Sequence, residues 1–243
     1  MRKFHELLLV GLLGSPFAAD AQLTYNFGGI NAAIPDGDPT GLVNVQEISD
    51  APGMNITDLD VTLNISGTGL GGFNGDLYAT LQHDSGYSVL LNRAGARTGV
   101  GYGYGDSGLG VTFDDAATGD MHVYRQVLNG SHTTPLGGSL TGTWKPDART
   151  VDPNGVLESS SQTATLASFN SVPVNGTWTL FVADLSSGAT HQLDSWGMQI
   201  AAVPEPHAYG IVAGISLFGL ALWRRKHRIA RISPTKLSEP FSK

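Results

Sequence analysis

Ile56-Thr57-Asp58-Leu59-Asp60-Val61-Thr62-Leu63-Asn64-Ile65 alternates apolar and polar residues with a period of two. Successive side chains of a β-strand point to opposite faces, so Leu59, Val61, Leu63 and Ile65 share one face while Asp58, Asp60, Thr62 and Asn64 share the other. Such a strand covers a core on one side and meets water on the other. The same beat returns in Leu77, Ala79 and Leu81, in Trp178, Leu180 and Val182, and in Trp196, Met198 and Ile200. Turn-forming runs separate these stretches: Gly71-Gly72-Phe73-Asn74-Gly75, Asp84-Ser85-Gly86, Asn129-Gly130, Asn175-Gly176 and Ser187-Gly188. No amphipathic helix of useful length interrupts the series. Many short strands with frequent turns predict an all-β, antiparallel sandwich of jelly-roll type, its two inner faces forming one core.

The bulk composition agrees. The 32 glycines and 12 prolines among 243 residues suit a turn-rich chain, and 14% charged residues are too few for a disordered polyelectrolyte. The length leaves room for one all-β domain of ordinary size. With no cysteine, disulfides, thiol nucleophiles and cysteine-ligated zinc are excluded. Between Gln22 and Val203 there are 5 basic residues (Arg93, Arg97, Arg125, Lys145, Arg149) against 17 acidic ones, a net charge of −12. A body so acidic repels phosphate backbones, which argues against nucleic-acid binding.

Both ends read as addresses. Met1-Arg2-Lys3 is basic, Leu7 to Leu13 is apolar, and Ala19-Asp20-Ala21 has the small-x-small pattern that signal peptidase reads. Residues 1–21 are therefore expected to be a signal peptide, cut after Ala21. At the other end Val203-Pro204-Glu205-Pro206 precedes an apolar stretch from Ala208 to Trp223, then Arg224-Arg225-Lys226-His227-Arg228. A transmembrane helix over 208–223 would just cross a thin bilayer, with the basic cluster (224–228) held in the cytoplasm. The order of these parts over 203–228 resembles the PEP-CTERM sorting signal of Gram-negative bacteria. The resemblance implies processing by an exosortase-type enzyme near Pro204, Glu205 and Pro206, transit through the inner membrane, and a link to exopolysaccharide and biofilm. Residues 229–243 extend past the basic cluster, where that family usually stops. Retention in the inner membrane as a tail-anchored protein is the alternative.

Between the addresses, residues 22–202 carry an ordered set of landmarks. They are Ile34-Pro35-Asp36, the strand Ile56 to Leu63, Gly75-Asp76-Leu77 with Leu81, Thr112-Phe113-Asp114-Asp115-Ala116-Ala117, and Gly142-Thr143-Trp144-Lys145-Pro146. Gly176-Thr177-Trp178-Thr179-Leu180 with Val182 and Asp184 follows, and Ser195-Trp196 with Ile200 closes the set. It is similar to the P domain, or Homo B domain, that accompanies subtilisin-like proprotein convertases. The resemblance implies a β jelly roll without a protease, since no catalytic domain is attached. The histidine that often follows the early strand is absent from Ser66 to Gly72, and His83-Asp84-Ser85 replaces a common proline turn.

Candidate chemistry is sparse. No G-x-S-x-G turn occurs in the mature segment, and Gly105-Asp106-Ser107-Gly108 reads as a turn because Leu109 replaces the next glycine of trypsin-like proteases. His83, His122, His132 and His191 lack metal-ligand spacing and are expected as surface or loop histidines. Asp76, Asp114, Asp115 and Asp184 lie beside turns whose carbonyls, with the carboxylates, suit calcium. The P-domain resemblance implies structural calcium too, with Asp76 and Asp115 foremost. The alternative is that these aspartates cap turns. Trp178 and Trp196 sit in phase with apolar neighbours and are expected in the core, whereas Trp144, beside Thr143 and Lys145, is expected as an exposed ring for a ligand such as carbohydrate.

The sequence thus predicts a non-catalytic interaction domain, exported to the cell surface or extracellular matrix. Its expected partners are signal peptidase, an exosortase-type enzyme, and an extracellular polysaccharide or protease. The alternatives are an accessory domain for a separate extracellular subtilisin-like protease, or a carbohydrate-binding module.

Overall fold

The computed structural model describes residues 20–68, 71–205 and 217–224. Ten strands are present among them: β1 (Ala21–Phe27), β2 (Ala32–Ile34), β3 (Asp38–Ile48), β4 (Met54–Thr68), β5 (Leu77–His83), β6 (Gly86–Asn92), β7 (Leu109–Phe113), β8 (Leu140–Trp144), β9 (Gly176–Asp184) and β10 (Thr190–Pro204). They form two sheets. One has the order β1-β10-β4-β7-β8, with β2 also pairing β10; the other has the order β3-β9-β5-β6. Every pairing with a described register is antiparallel except β7 with β8.

The period-two reading of β4 holds: Leu59, Val61, Leu63 and Ile65 are all buried. They meet Leu81, Leu180 and Val182 of the other sheet in one continuous core. Each large aliphatic side chain removed from water there contributes about 1.5–3 kcal/mol. Trp178 and Trp196 are buried as expected, and their indole N–H groups donate to Val174 O and Asn44 Oδ1. Within the sandwich the helical elements are one short α1 (Tyr124–Asn129), closed by Gly130 in the left-handed conformation, and three 3₁₀ turns.

Two expectations are corrected. Trp144 is only 4% exposed. It lies opposite Phe113 on the inner face of β8, donates to Thr141 O, and packs where Gly119 leaves no Cβ in its way. Its ring is core and presents no face to a ligand. His83, His122 and His191 are likewise buried, at 2%, 0% and 1% exposure. His83 stacks on Trp178 with ring centroids 4.0 Å apart.

The sandwich forms one unit over Ala19–Val203. β10 runs on through Val203 and Pro204, the first residues of the expected sorting signal. Ala19, Pro206, the rest of the expected signal peptide up to Asp20, most of the expected span 208–223 and the basic cluster beyond Arg224 lie outside the described residues. Residues 217–224 are helical. Among the described residues no helix is long and apolar enough to cross a membrane.

Candidate functional site

Three connections meet at one end of the sandwich: 73–76 leading into β5, 93–108 leading out of β6, and 185–189 between β9 and β10. Loops held by a rigid scaffold are where binding surfaces concentrate. Here they enclose a cleft of about 660 Å³ lined by Phe73, Asp76, Arg93, Tyr102, Asn154 and Ser186 with their neighbours. That size falls within the range of small-ligand sites.

The floor of the cleft is charged and buried. Asp76 is 3% and Arg93 4% exposed, with Arg93 Nη1 3.7 Å from Asp76 Oδ1. Arg93 Nη1 also donates to Ser186 Oγ at 3.1 Å, and Nη2 to Leu185 O at 3.2 Å. Its Nε is buried and has no partner in the protein. Arg93 adopts a φ of +47°, a left-handed backbone conformation that side chains other than glycine seldom take and that gathers at functional sites. Burial raises the Asp76 pKa, joined by the nearby Asp184 charge, while Ser186, Arg93 and His191 pull the other way. β5 and β9 place Leu77 opposite Asp184, which brings Asp184 beside the same floor. Asp184 Oδ2 accepts from His191 Nδ1 at 2.7 Å, and Oδ1 accepts from Ser186 N–H at 3.3 Å. The His191 ring packs against Gly72, whose Cβ would collide with it, and its Nε2 has no partner in the protein.

The walls are aromatic. Phe73 is 46% and Tyr102 76% exposed. Tyr102 sits in the run Gly101-Tyr102-Gly103-Tyr104-Gly105, whose backbone is fixed from below: Gly75 N–H donates to Tyr104 O, and Tyr104 N–H donates to Ala94 O. Gly75 must lack a Cβ because one there would strike the Tyr102 carbonyl oxygen. The backbone that carries Tyr102 is thus held in place, and its ring is open to solvent.

The four candidate calcium ligands fall into two pairs. Asp76 lies on the cleft floor beside Arg93, and Asp184, fully buried, is paired with His191. Asp114 and Asp115 follow β7 in a turn. Asp114 Oδ1 accepts from Ala116 N–H, and both oxygens of Asp115 accept from the Leu166 and Ala167 N–H groups, which caps the 3₁₀ turn Leu166–Phe169. Asp76 has the Arg93 guanidinium 3.7 Å away, and the Asp115 oxygens cap a turn, the alternative role for these aspartates. Among the described residues no group of three or more metal-ligating side chains is arranged to hold a metal.

A second charged network lies away from the cleft. His122 Nδ1 meets Asp147 Oδ2 at 2.7 Å, and Nε2 meets Ala96 O at 2.8 Å. Arg149 donates to Asp147 Oδ1 at 3.3 Å and to Asp120 Oδ2 at 2.8 Å. Burial disfavours the His122 imidazolium, yet the Asp147 hydrogen bond and charge, with the Ala96 carbonyl, outweigh it and raise the pKa. The Gly105–Gly108 turn is structural at Asp106, whose carboxylate takes Arg125 at 2.6 and 2.8 Å and Tyr124 at 2.7 Å. Ser107 Oγ accepts from Gly72 N–H, and no serine or threonine hydroxyl is hydrogen-bonded to a histidine among the described residues.

Sequence reasoning found Asp76 and Asp184 but passed over Phe73, Arg93 and Tyr102 as ligand contacts. Signals for two of them were present: Arg93 is one of only 5 cations in the acidic body, and glycines flank Tyr102 on both sides. No family model and no curated protein matches the chain.

Proposed function

We propose that this chain is a non-catalytic interaction domain of P-domain-like jelly-roll type, exported and sorted to the cell surface, where it binds extracellular polysaccharide. The cleft carries the reading. Exposed rings beside a polar floor are the arrangement that sugars require, with the apolar ring face covered by Phe73 or Tyr102 and hydroxyls reached by Asp76, Arg93 and Asn154. The terminal addresses supply the location, through signal peptidase at Ala19 and Ala21 and an exosortase-type enzyme at Pro204-Glu205-Pro206. The engagement of both His122 nitrogens, and the packing of His191 against Gly72 rather than on a hydroxyl, support binding over turnover.

The test is binding of the full chain to polysaccharide from the producing cell surface, with a protease-containing surface fraction as the rival bait. Tyr102→Ala and Phe73→Ala are each expected to weaken polysaccharide binding about five- to tenfold without lowering stability, the loss of one stacking contact. Equal binding by wild type and Tyr102→Ala, or capture of a protease alone, would overturn the proposal.

A further inference from the structure

We propose that two copies of this chain associate side by side through β3, joining their four-stranded sheets into one. The two edges of that sheet are treated differently. β6 is closed by the chain itself: Val89 N–H donates to Ala164 O, Ala148 N–H to Val89 O, Asp147 N–H to Leu90 O, and Tyr87 N–H to Ser168 Oγ. β3 pairs only with β9, and among the described residues no backbone hydrogen bond reaches its other side over Leu42–Ile48. An open edge is usually guarded by lysine, proline or a bulge. Here Pro39 and the bulge between Asp38 and Leu42 guard only the beginning. Beyond them Val43 is 56% and Val45 51% exposed, and the one charged side chain, Glu47, is held by the Thr177 hydroxyl.

The occupant that fits this edge is a second β3. Leu42-Val43-Asn44-Val45-Gln46 reads nearly the same in both directions. Placed antiparallel about Asn44, Val43 of one copy faces Val45 of the other, twice over, and each Glu47 faces a Gly41 rather than another acid. Phe181, paired with Val43 across β9, widens each apolar strip. The acidic body, at −12 between Gln22 and Val203, repels its own copy everywhere else, so an uncharged seam is where approach costs least. A strand-to-strand seam is small for a stable dimer, which makes this contact concentration-dependent and strongest among copies crowded on one surface.

The absence of cysteine permits a clean test. Residues directly opposite on antiparallel strands have Cα atoms about 4.5–5.5 Å apart, a separation that a disulfide spans. Full-length Val43→Cys and Val45→Cys chains, mixed and oxidised with copper phenanthroline, are expected to give about fivefold more disulfide dimer than either variant alone, because identical positions sit a diagonal step apart. The yield should rise with salt, as screening relieves the acidic repulsion. A mixture that gives no more dimer than Gln199→Cys, an exposed position on central strand β10, overturns the proposal. So does equal or greater dimer from either variant by itself.

Discussion

His122 and His191 are built from the same parts and used differently. Each holds an aspartate oxygen 2.7 Å from Nδ1, and each pair is wholly shielded from solvent. Around His122 both ring nitrogens are engaged, Asp147 on Nδ1 and Ala96 O on Nε2, with Arg149 bridging Asp147 to Asp120 while its own buried Nε, like that of Arg93, has no partner. Around His191 only Nδ1 is engaged, and the buried Nε2 has no partner in the protein. A ring engaged at both nitrogens is fixed in one packing, whereas a buried nitrogen without a partner leaves its desolvation uncompensated. The identity of the residues does not separate these roles; the second nitrogen of each ring does.

The largest expected effect tests that contrast directly. His122→Ala leaves Asp147 buried with part of its compensation gone and should cost about 3–5 kcal/mol in urea unfolding. His191→Ala leaves Asp184 equally buried with only the Ser186 N–H at 3.3 Å, whereas Asp147 keeps Arg149 and the Asn92 N–H, so this variant should cost at least as much. A smaller loss for His191→Ala would show that the unpaired Nε2 offsets that cost.

A second expectation concerns pH. The folded pKa of His122 lies above its unfolded value of about 6.5, so its stabilisation is complete below that pH and is lost as pH rises through the folded pKa. Stability should fall across that alkaline window with a slope of up to about 1.4 kcal/mol per pH unit. The slope should vanish in His122→Asn and persist in Tyr102→Ala.

The smallest effect belongs to a carboxylate with no counter-ion. Asp60 is pushed up to about 6 by burial, then by Asp114, Asp58 and Asp115, and its Oδ1 has no partner. A raised carboxylate destabilises the fold when ionised, so stability declines as pH climbs from its unfolded value of 3.8 through about 6. Asp60→Asn should therefore raise stability at pH 7.5 by under about 1 kcal/mol, after allowing for solvent screening of a half-exposed group, and the gain should disappear below pH ~4.

Strands whose inner positions are all apolar were readable in the sequence, as β4, β9 and β10 demonstrate. β8 was not, because exposed Gly142, not an apolar residue, stands between Leu140 and Trp144, so the tryptophan looked isolated among Thr143 and Lys145. β3 inverts the usual code, with Asn44 turned inward to accept from Trp196 and Val43 and Val45 turned out. The buried histidines were hidden for a related reason. Their acceptors, Asp147, Asp184 and the carbonyls of Ala96, Pro173 and Thr177, lie 7 to 94 residues away, and period-two reading sees only neighbours. The cleft was half legible, through Asp76 and Asp184, since its remaining contacts come from loops whose meeting depends on strand order.

One strand sets the reach of the whole domain. β10 begins at Thr190, just past the loop that contributes Ser186, and ends at Pro204, while Ala21 at the head of β1 pairs with Ala202. Entry and exit of the chain thus share one corner, and the cleft lies at the opposite pole, roughly 45 Å away at the 3.2–3.4 Å rise of each strand residue. A load applied at Ala21 and Ala202 would therefore peel open the backbone ladder between β1 and β10 and leave the cleft loops unstressed.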